Sequence, residues 1–249
     1  MTIEEQWAVY ASFPCYHKLT GNLSGALTDT LAYNSSTQYL HSKHKLMTAK
    51  VEHINTVALQ QYLSKLPIFK RATIVKMIHG WNPSLAILCH QGRAPSPICS
   101  RCSSATETNS HIIQCPNSLS IANRVSRLRN FLRRLSQYHT PTLILRTLHY
   151  KLSLTLHIPF DYSSSTSHTP YDRIPDTLLR AIRHKNLIGW DLFLCGYTSM
   201  FWQLSYSSLF QNNLTHPDPN WGTHLVTLAL ELYKGIWDDR NLFYHGSSS

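Results

Sequence analysis

From Lys50 onward, apolar residues recur about one helical turn apart along much of the chain. In VEHINTVALQQYLSKL the spacing of Val51, Ile54, Ala58 and Tyr62 predicts a helix, which Pro67 must end. KRATIVKMIH predicts a second, with Gly80 placed to stop it. WNPSLAILCHQGRAPSP then reads as a loop. In ANRVSRLRNFLRRLSQY, opened by Pro116 and Ser118 or Ser120, the residues Val125, Leu128, Phe131, Leu132 and Leu135 fall in a sector of roughly 120°. Arg127, Arg129, Arg133 and Arg134 fall outside it. Three further helical patterns follow in DTLLRAIRHKNLIGWDLFL, SMFWQLSYSSLF and THLVTLALELYKGIW. The segment PTLILRTLHYKLSLTLHIPF fits helix or strand, and the alternation in KLSLTLHI leans to strand.

These patterns predict a mainly α fold, bundle-like, with a small Cys3His knuckle. Residues 1–45 read as an irregular N-terminal segment. Residues 46–160 form a helical region that carries the knuckle at 99–115. DYSSSTSHTPYD, residues 161–172, reads as a linker bounded by Pro159 and Pro170, and residues 173–249 form a C-terminal helical region.

Composition narrows the function. Only 14% of the 249 residues are charged, but 43% are apolar, enough for a folded core. The net charge of +10 favours an anionic partner, nucleic acid first and an anionic membrane surface second. The longest apolar run, LIGWDLFLCGYTSMFWQL, is broken by Asp191 and Gly196, so no membrane span is expected. MTIEEQWAVY has no basic start of the kind secretory signals carry. Six cysteines are too few for a disulfide scaffold, and three of them cluster. An intracellular protein, nuclear or cytoplasmic and not secreted, is the expectation.

The cluster is Cys99-x2-Cys102-x8-His111-x3-Cys115. Two cysteines three positions apart form a tight knuckle whose sulfurs can reach one ion. On a helix, His111 and Cys115 lie one turn apart on the same face. Three thiolates and an imidazole suit zinc better than magnesium or calcium, and four protein ligands leave no place for water. A structural zinc site at Cys99, Cys102, His111 and Cys115 is expected.

This pattern, ending in Cys-Pro and preceded by ATIVKMIHGWNPS with Trp81 and Pro83, resembles the zinc-binding region that follows the polymerase in non-LTR retrotransposon reverse transcriptases. NLIGWDLFLCGYTSMFW and LYKGIWDDRNLFYHG are similar to segments downstream of such regions, through Trp190, Gly196, Trp202, Trp237, Arg240, Asn241 and His245. The resemblance covers roughly residues 65–120 and 185–246. It implies a bound zinc and a nucleic-acid partner, RNA ahead of DNA, for a retroelement-derived frame without its polymerase.

Polymerase chemistry needs paired aspartates after an aromatic residue and a third carboxylate. The single Asp-Asp, Asp238-Asp239, follows Trp237 but lacks the aromatic-x spacing, since Ile236 stands there. A nuclease using Asp238, Asp239, Asn241 and His245 is the other catalytic alternative, and no catalysis is expected. Arg124, Arg127, Arg129, Arg133 and Arg134, directly after the knuckle, are the candidate phosphate contacts, because guanidinium forks hold phosphate oxygens in pairs. Tyr138, His139 and His149 are nearby rings that could stack on bases. The tryptophans read as packing anchors. Against the nucleic-acid reading stand a helical interaction fragment and a decayed remnant, in both of which zinc only closes the fold.

Overall fold

The computed structural model describes residues 10–12, 16–18, 38–46, 51–159, 174–210 and 216–246; the expected linker at 161–172 lies outside them. The chain divides into two compact units, Met1–Val51 and Glu52–Ser249. In the first, read as irregular, strands β1 (Tyr10–Ser12) and β2 (Tyr16–Lys18) pair antiparallel with Ala11 opposite His17, and residues 38–44 are helical.

Among the described residues the second unit is built of helices, with two isolated bridges, Ile54 with Ser199 and Ile98 with Thr106. Its elements are α1 (Thr56–Ser64), α2 (Ile68–Ile78), α3 (Leu85–His90), α4 (Asn109–Gln114), α5 (Ser118–Ser136), α6 (Thr142–Thr155), α7 (Asp176–Ile188), a 3-10 turn (Asp191–Phe193), α8 (Phe201–Leu209) and α9 (Trp221–His245). The fold is therefore mainly α. Local chemistry sets the ends. Asn55 caps α1 by accepting from the Ala58 N–H, and Asn117 caps α5 through the Ser120 N–H. Pro67, Pro141 and Pro175 precede the first turns of α2, α6 and α7, where a missing N–H costs nothing. Gly189, at φ +101°, stops α7 in a conformation that L side chains rarely adopt.

Helix α9 is the spine. Trp221, Leu225, Leu228, Ala229, Leu232 and Ile236 are all buried along it, and α1, α4, α5 and α8 pack on it. A Cβ at Gly235 would come within 3.0 Å of the Arg127 side chain, so this glycine is what allows α5 its close approach. Trp202 and Trp221 are fully buried, as expected of packing anchors. The Trp221 ring stacks on Tyr206 and its Nε1–H donates to Thr140 Oγ1 at 2.8 Å. The helical stretches on either side of residues 161–172 belong to this one unit.

Two expectations are corrected. KLSLTLHI is helical: α6 runs to Thr155 with Leu156 as its cap. Ile144, Leu148, Leu152 and Leu156 repeat every four residues and are all 0% exposed, whereas Leu154, which completes the alternation, is 51% exposed. Burying four such side chains, at about 1.5–3 kcal/mol each, outweighs the slight strand bias of the alternation. The stretch read as a loop after Trp81 contains α3. It is too short, and too closely hemmed by Pro83 and Gly92, for its periodicity to register.

Candidate metal centre

The four predicted ligands come together, their Sγ and ring nitrogen atoms all within 4.8 Å of one another. Cys99 and Cys102 sit in a tight hairpin closed by Cys99 N–H to Ala105 O and Glu107 N–H to Pro97 O, both 2.8 Å. Ser103 takes a left-handed conformation, φ +54°, directly after the knuckle. His111 lies on α4, whose N-cap Thr108 accepts from the His111 N–H at 3.0 Å, and Cys115 caps its far end. The knuckle is fastened on one side by Asn117 Nδ2 donating to Arg101 O at 2.9 Å. Asn109 Nδ2, donating to Gly80 O at 2.6 Å, fastens α4 to the end of α2.

Within the cluster, Cys99 Sγ and Cys115 Sγ are 3.9 Å apart, and Cys102 Sγ and His111 Nε2 are 3.4 Å apart. Cys99 and Cys115 are buried; Cys102 and His111 face partly outward. Burial pushes the Cys102 thiol up, but hydrogen bonds from the Ser104 hydroxyl and N–H and from the neighbouring thiols outweigh it and bring its pKa down to about 6. Burial raises Cys115, the deeper of the two. One accessible sulfur is thus ready as thiolate, the form that binds metals. These four side chains can hold a metal ion.

The five candidate arginines separate by their positions on α5. Arg124 faces inward, 1% exposed, and its Nε, Nη1 and Nη2 have no protein hydrogen-bond partner. Burial lowers its pKa to about 10, and Cys115 pulls it back up. Arg101 Nε and Nη2 are buried and unpartnered in the same way, and Arg101 favours the Cys115 thiolate. Both guanidinium groups therefore act on the cysteine cluster. Arg127 grips Asp239 with both Nε (3.1 Å) and Nη2 (2.7 Å), and Arg134 is paired with Glu231. Arg129 and Arg133 are exposed, and Arg133 donates to Asn130 Oδ1 at 2.8 Å.

A residue that the motif search passed over ties the hairpin to the spine. Glu107, between the second and third ligands, is 1% exposed and accepts from Arg240 Nε at 3.0 Å and from Arg240 Nη2. Its Oε1 also accepts from the Leu85 N–H at 3.1 Å. The Arg240 guanidinium lies between the Trp237 and Tyr244 rings, 5.2 and 4.8 Å from their centroids. The WDDRN segment is thereby spent on packing. Asp238 pairs with Lys234, Asp239 holds α5 through Arg127, Arg240 holds Glu107, and Asn241 accepts from Arg240 Nη1.

Among the described residues no helix is long and apolar enough to cross a membrane. Comparison with protein families, with curated proteins and with solved structures finds no match.

Proposed function

We propose that the cluster holds one structural zinc ion and that the lobe it closes is a non-catalytic module that binds nucleic acid, RNA ahead of DNA. Its origin on this reading is the C-terminal part of a retroelement reverse transcriptase. The donor spacing supports zinc. In a tetrahedron with Zn–S of about 2.3 Å and Zn–N of about 2.05 Å, sulfurs stand about 3.8 Å apart and sulfur and nitrogen about 3.6 Å apart. The pairs of 3.9 and 3.4 Å fit that polyhedron. Zinc would cross-link the hairpin to α4 and carry a net charge of about −1 with its three thiolates, which Arg101 and Arg124 are placed to offset.

The observation that carries nucleic-acid binding is the distribution of charge. Residues 53–160 contain thirteen Lys and Arg against a single acid, Glu107, so this stretch alone holds +12 where the whole chain holds +10. That acid is buried on Arg240, which lies outside the stretch. Lys65, Lys70, Arg71, Arg129 and Arg133 all stand exposed on it. Arg127 and Arg134 of this stretch are neutralised by Asp239 and Glu231 of α9, which leaves the exposed Lys65, Lys70, Arg71, Arg129 and Arg133 to meet a polyanion. Such a module would work inside the cell, in nucleus or cytoplasm.

The test joins elemental analysis to fluorescence anisotropy with a labelled single-stranded RNA across a salt series. One zinc per chain and affinity that falls steeply with salt are expected, with Arg129→Ala plus Arg133→Ala lowering the slope by about 1.4, the single-strand value for two phosphate contacts. Binding that is absent, or indifferent to salt, sinks the reading. Arg124→Leu should behave differently. Zinc affinity is expected to fall about 10- to 100-fold, as when a group orienting or compensating metal ligands is removed, while zinc-saturated protein keeps its RNA affinity. A competition titration with a chromophoric chelator reads the first effect.

One observation favours a protein-binding role instead. Ile68 and Phe69, adjacent on α2, are 82% and 67% exposed.

A further inference from the structure

Two clefts flank α5, and they differ in charge. The first, about 200 Å³ between α5 and α9, is lined by Arg127, Arg134 and Lys234, each already neutralised by Asp239, Glu231 or Asp238. It offers an anion no net attraction. The second, about 230 Å³, lies on the α6 side of α5. Val125, Leu128 and Leu132 of α5 and Ile158 beyond α6 make its apolar walls, and Arg129 and His149 stand exposed at its rim. Among the described residues no carboxylate lines it.

Its size selects among occupants. Sites that enclose a whole small molecule run to about 300–1,000 Å³, so this cleft suits a planar group inserted from a larger partner. Its chemistry selects further: apolar walls for ring faces, a guanidinium plane and an imidazole at the edge, on the one stretch of chain that is almost purely basic. Burial holds the His149 pKa below its ordinary value.

We infer that this cleft is a base pocket, taking one unpaired base of a single-stranded nucleic acid against Val125, Leu132 and Ile158, beside the His149 ring and the Arg129 guanidinium. The inference rests on the nucleic-acid reading above and adds a place for a base to it. It adds a base contact to the phosphate contacts of α5: His149 meets the base, and Arg129, at the rim, and Arg133 meet the phosphates beside it.

The experiment compares two fluorescein-labelled 12-mers on the zinc-loaded full chain, oligouridine and the same strand with abasic riboses at its central positions. Backbone charge is identical in the two. Oligouridine is expected to bind about five- to tenfold more tightly, within what one base stacked on an aromatic ring contributes. His149→Ala and Leu132→Ala should each erase that difference while leaving the salt slope unchanged, and His149→Phe should restore it. Equal binding of both strands by the wild-type protein overturns the pocket and leaves the cleft to an apolar side chain of a protein partner. A difference that survives both alanine variants overturns it as well. Binding of neither strand overturns the nucleic-acid reading itself, a separate and recognisable failure.

Discussion

Cys115→Ser is expected to take the bound zinc from one ion per chain to none and to lower the midpoint of thermal unfolding by more than about 10 °C. Cys115 is fully buried and stands where α4 ends and the α5 cap begins, so its sulfur joins the hairpin to both helices. Zinc binding contributes an apparent 10–16 kcal/mol, about, to small zinc-dependent folds. Even about 4 kcal/mol of that, at roughly 2–4 °C per kcal/mol for a chain of this size, gives the shift. Without the ion, Arg101 and Arg124 also lose the anionic cluster that compensates their burial, and a buried unpaired charge is costly. Limited trypsin digestion should then open the segment around Arg101, whose guanidinium the closed hairpin buries. Metal content, melting and digestion patterns that match the wild type would show that nothing at residues 99–115 depends on a metal.

Arg240→Ala carries the second largest expected effect. It leaves Glu107 charged and 1% exposed, with only the Leu85 N–H still donating to it. Breaking a buried pair from one side costs about 3–5 kcal/mol, so the melting midpoint should drop by roughly 6–20 °C at constant zinc. The double variant Glu107→Gln with Arg240→Met should recover much of that loss, since a neutral amide can keep the Leu85 bond and no orphan charge remains. Calorimetry of Glu107→Gln, Arg240→Met and the double variant closes the cycle. Additive losses in the double would deny that the pair is coupled.

How much of this could be read from the residues depends on distance along the chain. All four metal ligands lie within seventeen consecutive residues, so their spacing alone announced the cluster. Helix α5 was equally plain. Its faces are less legible, because an arginine inside the buried stripe leaves the apolar sector unchanged. Arg124 stands four residues before Leu128 and seven before Phe131, within the buried stripe, and that position already marked it as an interior residue. The strand leaning in KLSLTLHI arose because leucines two apart are also leucines four apart, and only the packing of α6 decides between the two periods. Glu107 left a signal that composition summaries hide: it is the single acid between Glu52 and Asp161. Its partner, 133 positions away, left none. Pairings such as Asp239 with Arg127 are made by the approach of α9, and no local pattern encodes them.

The order in which these contacts can form follows from α9. This helix, about 37 Å long at 1.5 Å per residue, is the element on which α1, α4, α5 and α8 settle, yet it occupies residues 221–245. During synthesis, the hairpin and α4 leave the ribosome long before Arg240 exists to receive Glu107. For more than a hundred residues of elongation the basic helices have no spine to lie on, and their apolar stripes stay open to solvent. Loop closures of that span are slow, and a chain waiting on them is exposed to misassembly. On the zinc reading, capture of the ion by the seventeen-residue cluster would be a local event that needs none of those closures, and so the first anchor of the fold as the nascent chain emerges.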